Sequence, residues 1–258
     1  MAAAFERSVH RIGRYRIHAL HAGTGEALVL LHGLSGSSRW WRYNVPALGQ
    51  DFRTHTPDLV GFGRSRAWVA QPTISEMASI IGEWMDVSEI ERAHVIGHSM
   101  GGQIAIHLAA DSPQRVQRLV LVSSAGIPRE LTFSALTRFV AEIVPPRAWG
   151  APTFLPTVAA DALRMGPRVF VTATNHVLRD DVRPLLPRIQ AETLLIWGKQ
   201  DPLTPIANGE KMAALIPKAR LVVFENAAHM PMVDAAERFN EEVRHFLRGP
   251  DVSENSNF

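Results

Sequence analysis

The stretch Val95-Ile96-Gly97-His98-Ser99-Met100-Gly101-Gly102 constrains the fold more than any other part of the chain, because an apolar run ends there in Gly-x-Ser-x-Gly. Arg92 to Ile96 reads as a strand before it, and Gln103 to Ala110 as a helix after it. A serine at the tip of so tight a strand-to-helix turn is driven toward a sparsely allowed backbone geometry, and Gly97 and Gly101 let the neighbouring backbones approach. The turn pushes the Ser99 hydroxyl into the open. A helix starting at that serine aims the unpaired N–H groups of its first turn, and the positive end of its dipole, where an oxyanion would form. Ser99 is therefore the candidate nucleophile. Taken alone, Gly-x-Ser-x-Gly is equally an ordinary glycine-rich turn; the flanking strand and helix favour the catalytic reading.

Strand and helix patterns alternate on both sides of this turn. Tyr15 to His21 alternates in part and ends at Gly23-Thr24-Gly25, a strand and turn of an early antiparallel hairpin. Ala27 to Leu31, Arg118 to Val122, Thr193 to Gly198 and Arg220 to Phe224 are the apolar runs of strands covered by helices on both faces. Phe52 to Pro57 is a short strand that enters the glycine-rich loop Asp58 to Ser65. Helices are expected from about Trp40 to Gly49, from Thr73 to Val87, near Ile206 to Ile216, and from Met232 to Leu247. Thr73 with Glu76 forms a capping box, and Ile74, Met77, Ala78, Ile81 and Met85 share one side of that helix. In the last helix Val233, Ala236, Phe239, Val243, Phe246 and Leu247 form a stripe that would cover one face of the sheet.

Between Ile127 and Pro187 the alternation stops and prolines recur. Leu136, Phe139, Val140 and Ile143 share a helical face, and Arg168 to Leu178 reads as a further helix. The expectation is a helical lid over 127–187 inserted into a core made of 1–126 and 188–250, with 251–258 as a disordered tail. A long surface connection is the plainer alternative. Hydrophobic residues make up 46% and charged residues 20% of the 258, an ordinary globular balance that supplies a buried sheet. The formal charge is +2 and the arginines are scattered, which argues for a solvated surface and against a nucleic-acid partner. With no cysteine, disulfides, a thiol nucleophile and thiolate metal sites are excluded. The first sixteen residues carry Glu6, Arg7, Arg11 and Arg14 without an apolar segment, so no signal peptide or membrane span is expected and the chain reads as cytoplasmic.

A serine nucleophile needs a base, the base needs an orienting acid, and in α/β architectures such groups gather at the carboxyl ends of the strands. His229, in Asn226-Ala227-Ala228-His229-Met230-Pro231, lies between the last apolar strand and the last helix. Asp201, in Gly198-Lys199-Gln200-Asp201-Pro202, has the same relation to the strand before it. Glu225 sits too close to the end of its own strand, and Asp58 belongs to a glycine loop that reads as structural. His32, His55, His94 and His98 form no His-Glu-x-x-His pattern, so no metal is expected and they read as hydrogen-bonded local residues.

The chain order Ser99, Asp201, His229 resembles that of the α/β-hydrolase superfamily. The His32-Gly33 loop, the Asp58-Leu59-x-Gly61-x-Gly63-x-Ser65 loop, the Gly97 to Gly102 elbow, Gly198-x-x-Asp201 and Ala228-His229 extend the likeness over nearly the whole chain. The resemblance implies an α/β fold with a mostly parallel eight-stranded sheet, helices on both faces and a small lid inserted after strand 6. It also implies an oxyanion hole built from the backbone N–H groups of Leu34 and Met100. Members that open epoxides or displace halides carry aspartate at the elbow; Ser99 points instead to an acyl-serine, with no cofactor. The expected activity is a carboxylesterase on small esters, with Trp40, Phe139 and Met230 as substrate-binding side chains; a lid rich in Phe133, Phe139, Trp149, Phe154, Met165 and Phe170 suggests an apolar pocket for short to medium acyl groups. A C–C bond hydrolase of ring-fission diketones is the nearest alternative, followed by lactonase, thioesterase or perhydrolase activity. From another class, a ligand receptor with slow hydrolysis shares the same resemblance.

Overall fold

The computed structural model describes residues 5–66, 71–128 and 151–249. Eight strands form one sheet: β1 (Glu6–Ile12), β2 (Tyr15–Ala22), β3 (Glu26–Leu31), β4 (Phe52–Pro57), β5 (Ala93–His98), β6 (Val116–Val122), β7 (Glu192–Gly198) and β8 (Ala219–Phe224). Their spatial order is β1-β2-β4-β3-β5-β6-β7-β8. The β1–β2 and β2–β4 pairs are antiparallel, and every pair from β4–β3 to β7–β8 is parallel. The early hairpin is β1 with β2, joined by the turn at Gly13 and Arg14, and the strand Glu6–Ile12 was not expected from the sequence; the turn Gly23-Thr24-Gly25 leads from β2 to β3, which lies on the far side of β4. The longer helices are α1 (Ile74–Val87), α2 (Met100–Asp111), α3 (Leu155–Arg179), α4 (Ile206–Leu215) and α5 (Ala236–Arg248).

Successive side chains of a strand point to opposite faces, and the apolar runs fill both. Val29, Leu31, Val95, Leu119, Leu121, Leu195 and Trp197 join a core with Trp84 and Met85 of α1, Ile104 and Ile106 of α2 and Met212 of α4. Leu28, Leu30, Ile96, Val120, Val122, Leu194 and Ile196 join the other, with Trp41 and with Phe239, Val243 and Leu247 of α5. The capping box forms as expected: the Thr73 hydroxyl accepts from the Glu76 N–H at 3.3 Å, and Glu76 Oε2 accepts from the Thr73 N–H at 2.8 Å.

Three helix expectations are corrected. Instead of one helix from Trp40 to Gly49 there are two single turns, Ser38–Trp41 and Val45–Leu48, because Pro46 can stand only in the first turn of a helix. The stripe expected from Met232 to Leu247 is broken at Ala235, with φ −137°, between a single turn Pro231–Asp234 and α5. The helix expected from Arg168 to Leu178 extends back to Leu155 as the kinked α3: Pro167 disfavours helical geometry at the residue before it, and Gly166 takes φ 76°.

The segment after β6 is tied to its surroundings. The Ser37 hydroxyl donates to Asp161 Oδ2 of α3 at 2.7 Å, and Arg39 pairs with the same carboxylate. At the other end of α3, Asp180 accepts from Gln103 at 3.1 Å and bonds His107 at 3.0 Å, both on α2. Val182 and Leu186 are fully buried in the core that α1 and α2 share, and Met165 and Ala173 of α3 join the same core. The face formed by Leu136, Phe139, Val140 and Ile143 and the tail 251–258 lie outside the described residues.

Candidate active site

Ser99 stands between β5 and α2 with φ 53° and ψ −116°, a conformation that non-glycine residues rarely adopt. The strain is held by packing and by hydrogen bonds. The Ser99 N–H donates to Val122 O at 3.0 Å, and its carbonyl accepts from Gly102 N at 2.9 Å and Ala125 N at 3.2 Å. A Cβ on Gly97 would collide with the Gly101 carbonyl, and one on Gly101 with the Leu31 carbonyl, so both glycines are required by close backbone approach. Met100 opens α2, and its N–H therefore has no acceptor within the helix. The loop carrying Leu34 lies directly beside it: a Cβ on Gly33 would sit 3.2 Å from Ser99 Cβ.

That loop is held by a neutral histidine. His32 Nδ1–H donates to Gly33 O at 2.8 Å, and its Nε2 accepts from Leu59 N at 3.0 Å. Burial pushes its pKa down, which keeps the ring in this donor–acceptor tautomer. Asp58 accepts from Ser38 N at 2.6 Å and Arg64 N at 2.8 Å, so its oxygens are engaged in folding the glycine loop. Glu225 is exposed and pairs with Lys199 at 2.5 Å.

Asp201 and His229 meet across the loops that follow β7 and β8. His229 Nδ1 lies 2.9 Å from Asp201 Oδ2 and 3.1 Å from Oδ1. Burial alone would raise the Asp201 carboxyl; the adjacent His229 and hydrogen bonds from His229 and Thr204 outweigh it and hold the carboxyl below its ordinary value. An ionised Asp201 accepting from Nδ1–H leaves Nε2 as the basic nitrogen of His229.

Ser99, His229 and Leu34 line one cavity of about 80 Å³ together with Trp40, Ile127, Phe170, Val177 and Asn208. The structure thus brings together four of the expected residues. Trp40 is on the wall, 5.7 Å from the His98 ring, whereas its neighbour Trp41 turns away toward Phe239. Met230 is a correction: it is fully buried in the core on the α5 side of the sheet and is not among the cavity residues, because the chain turns inward directly after His229. Phe139, Phe133 and Trp149 lie outside the described residues. Of the other aromatic and Met side chains of the insertion, Phe170 lines the cavity while Phe154 and Met165 fill the cores. The sequence reading named Phe170 among the apolar lid side chains but missed Val177, Asn208 and Thr204 as site residues. A threonine in the turn Asp201-Pro202-Leu203-Thr204 was the one available signal.

The remaining buried histidines bear on stability. His21 and His55 place their Nδ1 atoms 2.8 Å apart, and among the described residues no group of three or more His, Asp or Glu side chains could hold a metal. Burial, then the neighbouring His21 and Arg53, lowers His55 to about 4, and burial with the adjacent His229 lowers His98 to about 3. The unfolded chain therefore takes up these protons near pH 6.5 while the fold does not, so unfolding binds protons and stability falls as pH drops from about 6.5 toward 4. Urea denaturation at pH 5 should show a loss of about 2 kcal/mol for each of the two rings relative to pH 7. A stability unchanged between those pH values would mean that both rings protonate in the native state.

An elbow serine, a histidine and an aspartate at the carboxyl end of a mostly parallel sheet define the architecture of an α/β hydrolase. Residues 28–242 match the family model for the alpha/beta hydrolase family, and the chain belongs to that family. It is 32% identical to the pimeloyl-[acyl-carrier protein] methyl ester esterase of Nitrosomonas europaea, over 86% of this chain and 96% of that protein. It is 28% identical to the 2-hydroxy-6-oxo-6-phenylhexa-2,4-dienoate hydrolase of Burkholderia cepacia, over 92% of each. The crystal structure of the enol-lactonase from Burkholderia xenovorans LB400 superposes with a TM-score of 0.78 at 26% identity, covering 94% of this chain and 100% of that one. Among the described residues no helix is long and apolar enough to cross a membrane.

Proposed function

We propose that the protein is a carboxylesterase that works through an acyl-serine. Ser99 is the nucleophile, and His229 Nε2 removes its proton and returns it to the leaving alcohol. Asp201 orients the imidazole and stabilises its charged form. The N–H groups of Leu34 and Met100 stabilise the tetrahedral oxyanion. The observation that carries this reading is the strained Ser99 on the wall of the same cavity as a His229 whose Nδ1 is bound to a buried carboxylate.

The cavity also narrows the substrate. Its described lining holds no lysine, arginine, aspartate or glutamate, and Trp40, Ile127, Phe170, Val177, Leu178 and Leu203 make most of the wall. An acyl group buried there is uncharged and apolar. The dienoate named for the Burkholderia cepacia relative carries a carboxylate, and the described lining offers it no cationic partner. This ranks ester hydrolysis above C–C cleavage. Helix α3 supplies Phe170, Val177 and Leu178 to the wall, which supports reading the 127–187 segment as a lid that shapes the acyl pocket.

Steady-state kcat/KM on nitrophenyl esters of increasing acyl length, run beside a lactone and a dienol diketone, tests the reading. We expect the esters to be turned over many times and the diketone to be a poor substrate; a preference for the diketone, or a single slow turnover on every ester, overturns it. Phe170→Ala should flatten the chain-length profile, costing up to roughly 0.8 kcal/mol, or about fourfold in kcat/KM, for each methylene no longer buried. An unchanged profile in a variant that melts cooperatively would remove α3 from the acyl pocket.

A further inference from the structure

We propose that Thr204 is a positioning residue whose hydroxyl fixes the rotation of the Asp201 carboxylate and shares the charge of the oxygen that faces His229. The proposal rests on the roles assigned above to Ser99, Asp201 and His229. Asp201 Oδ2, the oxygen nearer to His229 Nδ1 at 2.9 Å, also accepts the Thr204 hydroxyl at 2.7 Å. Oδ1 accepts the backbone N–H groups of Leu203 at 2.8 Å and Thr204 at 2.9 Å. Oδ2 is thereby held by two donors and Oδ1 by two backbone donors, with His229 Nδ1 also 3.1 Å from Oδ1, and rotation about Cβ–Cγ would misalign all of them.

The hydroxyl carries one proton and has two acceptors in reach, Asp201 Oδ2 at 2.7 Å and the Ser123 carbonyl at 3.2 Å. The shorter contact to a charged acceptor takes it. A lone pair of Oγ1 is then free to face His229 Nδ1, 3.4 Å away, beside the carboxylate oxygens Oδ2 at 2.9 Å and Oδ1 at 3.1 Å. A turn in which an aspartate accepts nearby backbone N–H groups is common and explains the bonds to Oδ1. It requires no hydroxyl on Oδ2. Nor does the backbone depend on that hydroxyl, because the fully buried Trp197 donates its indole N–H to the Thr204 carbonyl at 2.7 Å.

Removing the hydroxyl leaves Oδ2 with one donor fewer and more negative charge to present to His229. The imidazolium gains stability, and the apparent pKa of the base rises. Among the described residues, Asp201, His98 and Asp234 are the titratable groups that face His229. Asp201 is the one altered. His98, with its ring 4.9 Å away and its Nε2–H donating to the His229 carbonyl at 2.8 Å, is pushed by burial and by His229 down to about 3 and stays neutral. Asp234 is engaged with the Ala228 N–H at 2.9 Å, a contact that Thr204 does not touch. A moved pH profile therefore reports on the Asp201–His229 pair.

The test is the pH dependence of nitrophenyl ester hydrolysis by Thr204→Val, Thr204→Ser and their combinations with Asp201→Asn. Thr204→Val should raise the acid limb of kcat/KM by about half a pH unit. It should also lower kcat about 10-fold while KM stays within about twofold. Thr204→Ser should restore the limb, and on the Asp201→Asn background Thr204→Val should move it no further. A Val variant that melts cooperatively and keeps the parent limb and kcat overturns the proposal, as does a loss that Ser fails to restore. If Val does not fold, Thr204→Ala against Thr204→Ser gives the same contrast, with the shift expected in Ala alone. Failure of the underlying triad is seen separately, as activity that survives Ser99→Ala whatever Thr204 does.

Discussion

Ser99→Ala is expected to lower ester hydrolysis by on the order of 10⁴-fold or more while leaving the fold intact. The side chain is lost at the one position where β5, α2 and the cavity meet, and no other described hydroxyl is held at the start of that helix with φ 53°. Alanine removes the nucleophile without adding atoms, so the crowded contacts of Gly97 and Gly101 are undisturbed. If the proposed triad acts as a unit, the residual rate measures what the proposed oxyanion-hole N–H groups of Leu34 and Met100 and the cavity contribute alone. Stopped assays on an activated ester, with melting curves beside them, provide the measurement. Turnover near that of the parent enzyme would remove Ser99 from the mechanism and take the acyl-serine with it.

His229→Ala is expected to be as severe, and Asp201→Asn somewhat milder, on the same substrate. In the proposed mechanism the histidine moves the proton, so no rate that depends on an activated hydroxyl should survive its loss. In the same proposal Asp201 acts at one remove: its carboxylate holds Nδ1–H at 2.9 Å, which would leave Nε2 basic. Asparagine keeps the size but can present an N–H to Nδ1, which favours the opposite tautomer and leaves Nε2 protonated. The kcat of both variants from pH 5 to 9 checks this. A silent Asp201→Asn beside a severe substitution at Asp58 or Glu225 would move the acid elsewhere, although Asp58 is engaged by two backbone donors and Glu225 by Lys199.

The strands were legible because a strand buried on both faces needs an uninterrupted apolar run, and Leu28 to Leu31 supplies Leu28 and Leu30 to one core and Val29 and Leu31 to the other. Edges of elements were less so. Ser38–Trp41 and the break at Ala235 are short-range departures from helix geometry in segments whose apolar spacing still reads as continuous helix. Within the site, the positions of Ser99, Asp201 and His229 followed from a topological fact, that the loop after each parallel strand opens on the same end of the sheet.

What surrounds those three residues was decided by the tertiary structure. Trp40 and Trp41 are neighbours of the same type, yet one reaches the cavity and the other stacks toward Phe239. Met230 follows His229 and is swallowed by the core, while Asn208, Phe170 and Val177 arrive at the cavity from helices remote in sequence. Thr204 acquires its place from the path of one turn and the indole that pins it. The sequence by itself determined the order of the strands from β2 to β8, the elbow turn and the chain order of the candidate triad, because each depends on local periodicity or on chain direction. Which side chains form the pocket wall and how the acid is held depend on helix rotation and loop path, which are settled when elements far apart in the chain pack against one another.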